Sequence, residues 1–111
     1  ATARFLNELD RLVGVVEEQL SRGEYIAGEA YSIADIALFA WFETVESYLP
    51  DLIDRPNIAR WRARIAARPA VVKALDIATG VRKQAHAARR AATVEDIDRY
   101  FGRKRPVADV E

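Results

Sequence analysis

An all-α fold is what this 111-residue sequence predicts. Three observations lead there. Apolar residues recur at steps of three and four along several stretches, which is the spacing of one helical face. Pro50, Pro56 and Pro69 fall between those stretches, where a residue without an N–H does least harm. No stretch alternates apolar and polar residues as a half-buried strand does, and no internal repeat is present.

The first helix is written in Phe5, Leu9, Leu12, Val13, Val16 and Leu20, with Glu8, Asp10, Arg11, Glu17 and Glu18 around the rest. Gly14 inside it costs about 1 kcal/mol relative to Ala, so close approach of a neighbouring helix is expected there. Ser21-Arg22-Gly23 ends the helix, and residues 25–31 form a connecting loop. A second helix is expected from Ile33 to Tyr48, closed by Pro50. Between Ile36 and Phe42 it is apolar nearly all round, the mark of a helix enclosed on most sides. Pro56 opens a third helix with Ile58, Trp61 and Ile65 inward and Arg60, Arg62 and Arg64 outward. Arg68-Pro69 breaks it, and Pro69 suits the first turn of a fourth, which has Val72, Leu75 and Ile77 or Ala78 to bury. After Gly80 the run VRKQAHAARRAA is Ala-rich and basic. Thr93-Val94-Glu95-Asp96 starts a last helix carrying Ile97, Tyr100 and Phe101, and the final RKRPVADVE reads as a frayed end.

Bulk composition narrows the function classes. Half the residues are apolar and 31% are charged, as in a globular domain. Basic and acidic residues balance at 17 each, so no net field attracts nucleic acid or an anionic membrane. Absence of Cys excludes disulfides, zinc–thiolate sites and Cys nucleophiles from this chain. No apolar run approaches the roughly 18 residues of a membrane span. ATARFLNELD lacks the basic-then-apolar form of a signal peptide and already resembles the interior of a helix. A chain that has lost its beginning is therefore expected.

The stretch EAYSIADIALFAWF, residues 29–42, joins a polar entrance to a greasy run. Ser32 and Asp35 have the spacing of a capping box, in which each side chain takes a backbone N–H near the other residue. Tyr31 and Ile36 stand where a hydrophobic staple would join the chain before the cap to the first turn. Nucleophilic use of Ser32 would need a base and a group to orient it, and the only His is His86, far along in the basic tail. Capping is therefore the reading preferred. Metal binding has little to build on, because one His and no Cys leave only carboxylates; Glu17-Glu18 and Glu43 with Glu46 read as solvated helix faces. Arg82, Lys83, Arg89 and Arg90 form a basic run without interleaved aromatics, closer to a solvated helix or an acidic-surface contact than to a nucleic-acid patch. Trp41 and Phe42 are candidates to line a hydrophobic pocket, with packing as the plainer use, and Tyr48 near the end of the same helix is open to both uses.

At this stretch Gly28-Glu29-x-Tyr31-Ser32-Ile33-Ala34-Asp35-Ile36-Ala37, followed by Trp41, resembles the signature of the cytosolic glutathione transferases. Arg4-Phe5-x-x-Glu8-x-x-Arg11-Leu12-x-Gly14-Val15 resembles the preceding helix of bacterial nu-class-like members. Trp61-x-x-Arg64-Ile65-x-x-Arg68-Pro69-Ala70-Val71 resembles the next helix and its turn. The resemblance implies a helical bundle like the C-terminal domain of that family over residues 1–80, without its first helix and without the thioredoxin-like domain that activates the glutathione thiol. Residues 81–111 would be a basic helical extension. It further implies glutathione as co-substrate, a small hydrophobic electrophile, a homodimer in the full-length form and a cytoplasmic location. No catalytic residue, metal or bound cofactor is assigned to this chain alone. Arg4 is the one glutathione contact that the resemblance carries over, and a surface pair with Glu8 is its plainer use. A non-catalytic transferase-like assembly module is the alternative function.

Overall fold

The computed structural model describes residues 1–103; most of the expected frayed end lies outside the described residues. Five α-helices follow one another: α1 (Thr2–Arg22), α2 (Ile33–Tyr48), α3 (Pro56–Ala66), α4 (Pro69–Ala91) and α5 (Val94–Tyr100), with a 3-10 turn at Pro50–Ile53 before α3. Among the described residues there is no strand beyond an isolated bridge between Tyr25 and Gly28. Gly28 has φ +136°, a conformation that favours glycine, and it lets the loop turn back on itself. Backbone contacts divide the chain into two compact units, residues 1–72 and 73–111.

In the first unit, α1 packs on α3 and α2 packs on the 3-10 turn. The core is Val13 and Leu20 from α1, Phe39, Phe42 and Val45 from α2, Ile53, and Ile58, Trp61 and Ile65 from α3. Trp61 is its centre, meeting Phe39 at 6.3 Å and Phe42 at 5.7 Å edge to face. Such ring pairs contribute about 0.5–1.5 kcal/mol beyond area burial.

Asp35 is wholly buried beside Trp61. Its Oδ1 accepts from the Trp61 indole N–H at 2.8 Å and from the Ile26 N–H at 3.0 Å. Its Oδ2 accepts from the Ser32 N–H at 2.9 Å. Ser32 Oγ accepts in turn from the Ala34 N–H at 3.3 Å, closing a reciprocal box at the start of α2. One carboxylate thus ties the 25–31 loop, α2 and α3 together. The Arg68 guanidinium lies over the Tyr31 ring, 3.7 Å from its centroid, and Tyr25 meets that ring edge on. Ile36 is exposed.

The helix ends of α1 and α3 cap each other. Pro56 occupies the first turn of α3, and α3 has no cap side chain of its own. Glu17 of α1 supplies it, accepting from the Asn57 N–H at 3.0 Å and the Ile58 N–H at 2.9 Å, with the Asn57 side-chain amide at 2.9 Å. These are orphan donors of a helix start. In the other direction Arg60 donates to the Leu20 carbonyl at 2.8 Å, near the end of α1. Burial works against ionisation of Glu17, but the three donors outweigh it and hold its carboxyl below the ordinary value. The solvated face expected at Glu17 is therefore a capping contact.

Two further expectations change. No helix crowds Gly14: a Cβ there would meet only the Arg55 guanidinium, at an ordinary 3.4 Å. That guanidinium is held against α1 by Asp10 at 2.6 Å. Nor is α2 enclosed, for Ile33 is 84% exposed and Ile36 and Trp41 also reach solvent. The described chain covers one face of an all-round apolar helix.

In the second unit α4 runs unbroken through Gly80 to Ala91. Val72, at the boundary, and Ile77 are exposed, and no residue of α4 or α5 is buried. Burial of an α4 stripe, expected from its apolar spacing, does not occur among the described residues. Thr93 and Asp96 cap α5 reciprocally: Thr93 Oγ1 accepts from the Asp96 N–H at 3.2 Å, and Asp96 accepts from the Thr93 N–H at 2.9 Å. The Thr93 N–H, and after it the Thr93 hydroxyl donating at 2.7 Å, hold the Asp96 carboxyl below its ordinary value.

Asp35→Ala leaves three N–H donors without their acceptor, that of Trp61 buried and those of Ile26 and Ser32 part-buried. At about 1–3 kcal/mol for each orphaned group, a loss of about 3 kcal/mol or more is expected. Asp35→Asn keeps Oδ1 for Trp61 and Ile26 but turns an NH2 toward the Ser32 N–H, so it recovers only part. Denaturant midpoints for the two variants measure this order. Acid titration checks the inter-helix cap. Because Glu17 ionises more readily folded than unfolded, its contribution is present at neutral pH and is lost as pH falls below 4.5 and through the lowered folded value. Glu17→Gln is expected to flatten that acid loss of stability and to lower the neutral-pH midpoint.

Candidate functional site

The side chains left uncovered by the core outline the site. On α1, Leu12, Val15 and Val16 project beside the buried Val13; on α2, Ala37, Leu38 and Trp41 project beside the buried Phe42. Together they line an open groove of about 480 Å³ between the two helices. Every lining side chain is a hydrocarbon or an aromatic ring. Trp41 is 43% exposed and meets Phe42 at 5.6 Å edge to face, so the core fixes the ring while one side faces the groove. Such a surface can hold an apolar group by contact and desolvation. It carries no acid, base or nucleophile of its own.

The other residues singled out from the sequence lie apart from that lining. Tyr48, at the end of α2, is 79% exposed and is not part of it. Arg4 is exposed near the start of α1, beside a shallow polar hollow it shares with Asn7, Glu8 and Arg11. Glu8 pairs with Arg11 at 2.6 Å rather than with Arg4. That hydrogen bond lowers the Glu8 pKa and raises that of Arg11. Arg4 keeps its donors available. Ser32 and Asp35 belong to the folding network described above.

Glu43 and Glu46, expected on a solvated face, converge on Arg62. Arg62 is only 17% exposed and donates to Glu43 at 2.6 Å and to Glu46 at 3.1 Å. The bond to Arg62 pulls the Glu46 pKa down, and the same bond raises that of Arg62. Arg62 was expected to point outward; it instead clamps α3 to α2. Among the described residues no group of three His, Cys, Asp or Glu side chains could hold a metal ion. No helix among them is long and apolar enough to cross a membrane.

The sequence reading missed most of the groove. By spacing, Leu12 and Val16 fall on the core face of the first helix, and Val15 and Leu38 carry no pocket signal of their own. A signal existed: a helix apolar all round presents more faces than this bundle covers. Glu17 and Arg62 gave no such sign, since their partners lie 40 and 16–19 positions away in the chain.

The family profile described as "Glutathione S-transferase, C-terminal domain" matches residues 3–69. The chain belongs to that family, as a representative of its all-helical C-terminal domain. It is 37% identical over 75 residues to the disulfide-bond oxidoreductase YfcG of Escherichia coli strain K12, covering 68% of this chain and 35% of that protein. It is 33% identical over 78 residues to the disulfide-bond oxidoreductase YghU of the same strain, covering 64% of this chain and 27% of that protein. It is 32% identical over 72 residues to glutathione S-transferase F13 of Arabidopsis thaliana, covering 61% of this chain and 32% of that protein. The chain thus spans about a third of the length of these relatives. No solved structure matches it significantly.

An apolar fluorescent dye is expected to bind the groove. Trp41→Ala, which removes the one indole among the four α2 lining residues, is expected to weaken that binding several-fold. Tyr48→Ala, outside the lining, leaves it unchanged. Dye titrations of the two variants against the parent chain check both statements.

Proposed function

We propose that this chain forms the substrate-side and dimerisation portion of a glutathione transferase. The reaction is conjugation of glutathione to a small hydrophobic electrophile, or a related glutathione-dependent thiol reaction. The observation that carries the reading is the groove between α1 and α2, with Trp41 as one wall and no ionisable group in its lining. A surface of that kind holds an apolar substrate and leaves thiol chemistry to another part of the protein. A thiol of pKa about 8.5 needs a positioned donor or positive charge to become thiolate at neutral pH. A thioredoxin-like N-terminal domain supplies that activation, and holding thiolate and electrophile together contributes the rest. Kinship with disulfide-bond oxidoreductases supports thiol–disulfide exchange as the related reaction.

Arg4 serves as a carboxylate contact for glutathione, free to do so because Glu8 is engaged by Arg11. Trp41 contacts the electrophile, and Tyr48 joins the pocket from the far end of α2 in the assembled protein. The assembled protein is a cytoplasmic homodimer. A rival reading, a non-catalytic helical assembly module, draws on the same uncovered apolar face of α2.

Turnover separates the two. The 111-residue chain alone is expected to leave the conjugation rate at its solution value. With a thioredoxin-like domain from a relative, fused or supplied as a second chain, saturable turnover appears. In that form Arg4→Ala raises KM for glutathione, and Trp41→Ala raises KM for the electrophile several-fold. Saturable turnover by the chain alone overturns the division of labour. An inert fused protein that still recruits a stable partner favours the assembly module.

A further inference from the structure

The balance of 17 basic and 17 acidic residues hides a division. Residues 1–72 carry eight Lys and Arg against eleven Asp and Glu, and residues 73–111 carry nine against six. The positive excess is gathered on α4. From Ile77 to Val94 the chain has no carboxylate, and that stretch holds Arg82, Lys83, Arg89 and Arg90. At 3.6 residues per turn these four cations fall within an arc of about 120°. None of them forms an ion pair among the described residues. On the adjoining face Ile77, Val81, Ala85 and Ala88 follow one another at steps of four, four and three, and Ile77 and Val81 are each 58% exposed. Arg82 and Arg89 border that face, where a long side chain can lay its stem along apolar surface and keep its charged head in a polar layer.

Helix α5 is amphipathic in its own right. Val94, Ile97, Tyr100 and Phe101 fall within an arc of about 120°, and all four are exposed. Tyr100 meets Phe101 edge on at 5.2 Å, and the Arg103 guanidinium lies 4.8 Å from the Phe101 centroid. The Glu95–Arg99 ion pair stands on the opposite side of the helix, and Asp96 is engaged by Thr93. With the apolar face of α5 against a surface, the Glu95–Arg99 pair faces away from it.

We propose that the unit 73–111 binds the surface of an anionic bilayer, with α4 and α5 lying in the interface and their apolar faces toward the acyl chains. A basic amphipathic helix suits that position. The α4 cations take the lipid phosphates, and Tyr100 and Phe101 sit at the headgroup level, where amphipathic rings are favoured. Two features select lipid over another anion. The apolar side chains are spread singly along two helices; a fluid surface accepts such scattered groups, whereas a rigid protein surface has to match each one. A nucleic-acid strand would use the cations and leave the apolar faces in water. The contact needs no membrane-crossing helix, and none is found among the described residues. Residues 1–72 are net acidic and gain nothing from the same field, so the contact is confined to the second unit.

Flotation of the 111-residue chain with vesicles tests the proposal. The chain is expected to float with phosphatidylcholine vesicles that contain phosphatidylglycerol and to remain behind with phosphatidylcholine alone. Rising salt is expected to release it. Arg82→Gln with Arg89→Gln is expected to weaken binding at least about tenfold. Tyr100→Ser with Phe101→Ser is expected to weaken it as well, with the salt dependence kept. Arg22→Gln, which removes an exposed cation of the first unit, leaves binding unchanged. Circular dichroism of each variant confirms that its helices are kept. A chain that ignores the vesicles, binds both kinds equally, or is indifferent to either pair of substitutions overturns the proposal. So does a chain that ignores the vesicles but binds a poly-glutamate peptide or a short RNA, because the anion is then protein or nucleic acid. The readout is vesicle binding and not turnover, so it stands or falls independently of the proposed reaction.

Discussion

A buried carboxylate is the constraint on which the first unit rests. Asp35 has no exposure to solvent, and a charge in that position is tolerated only where donors surround it. The donors come from three places: Ile26 in the loop, Ser32 at the start of α2, and Trp61 in the middle of α3. Satisfying all three fixes the loop path, the first turn of α2 and the rotation of α3 together. With α3 fixed, the Trp61 ring meets Phe39 and Phe42 edge on, and the core faces of α2 and α3 are decided. Trp41 then follows, because it shares α2 with the buried Phe42 and stands one residue round the helix from it. The groove depends on a carboxylate that never touches it.

A second layer of polar contacts adjusts what Asp35 begins. Glu17 and Arg60 satisfy the open ends of each other's helices. Arg62 draws Glu43 and Glu46 of α2 toward α3. These contacts are partly shielded, so they are worth more than exposed pairs such as Arg22 with Glu18. They also set the distance between α1 and α2 indirectly, since both helices are anchored to α3. A groove lined only by hydrocarbon cannot set its own width; the polar contacts behind it do.

The order of the helices and the starts of α2, α3, α4 and α5 were legible in the sequence because their signals are local, whereas the run of α4 through Gly80 to Ala91 was not. Ser32 with Asp35, Thr93 with Asp96, and the prolines at 56 and 69 each act within four residues of the boundary they mark. The family was legible for a similar reason, in three short motifs in the right order. Roles set across the bundle were not legible. Trp61 was read as core, correctly, but nothing local says that its N–H meets Asp35 at a separation of 26 residues. Arg62 falls on the polar side of its helix by periodicity, yet a long side chain can turn back and bury its stem. Hydropathy reports which face is apolar; it does not report which salt bridge a flexible side chain completes.

The expectation that α2 would be enclosed rested on sound physics applied to too small a molecule. An all-round apolar helix needs apolar neighbours on every side. α1 and α3 supply them on one side only, and Ile33, Ile36 and Trp41 remain in contact with water. The same tension recurs in the second unit, where α4 and α5 bury nothing among the described residues. Uncovered apolar surface at both places favours association, but the two surfaces ask for different neighbours. The α1–α2 groove has a hydrocarbon lining, so shape and size alone choose what enters. The apolar face of α4 is bordered by cations, and charge chooses by sign.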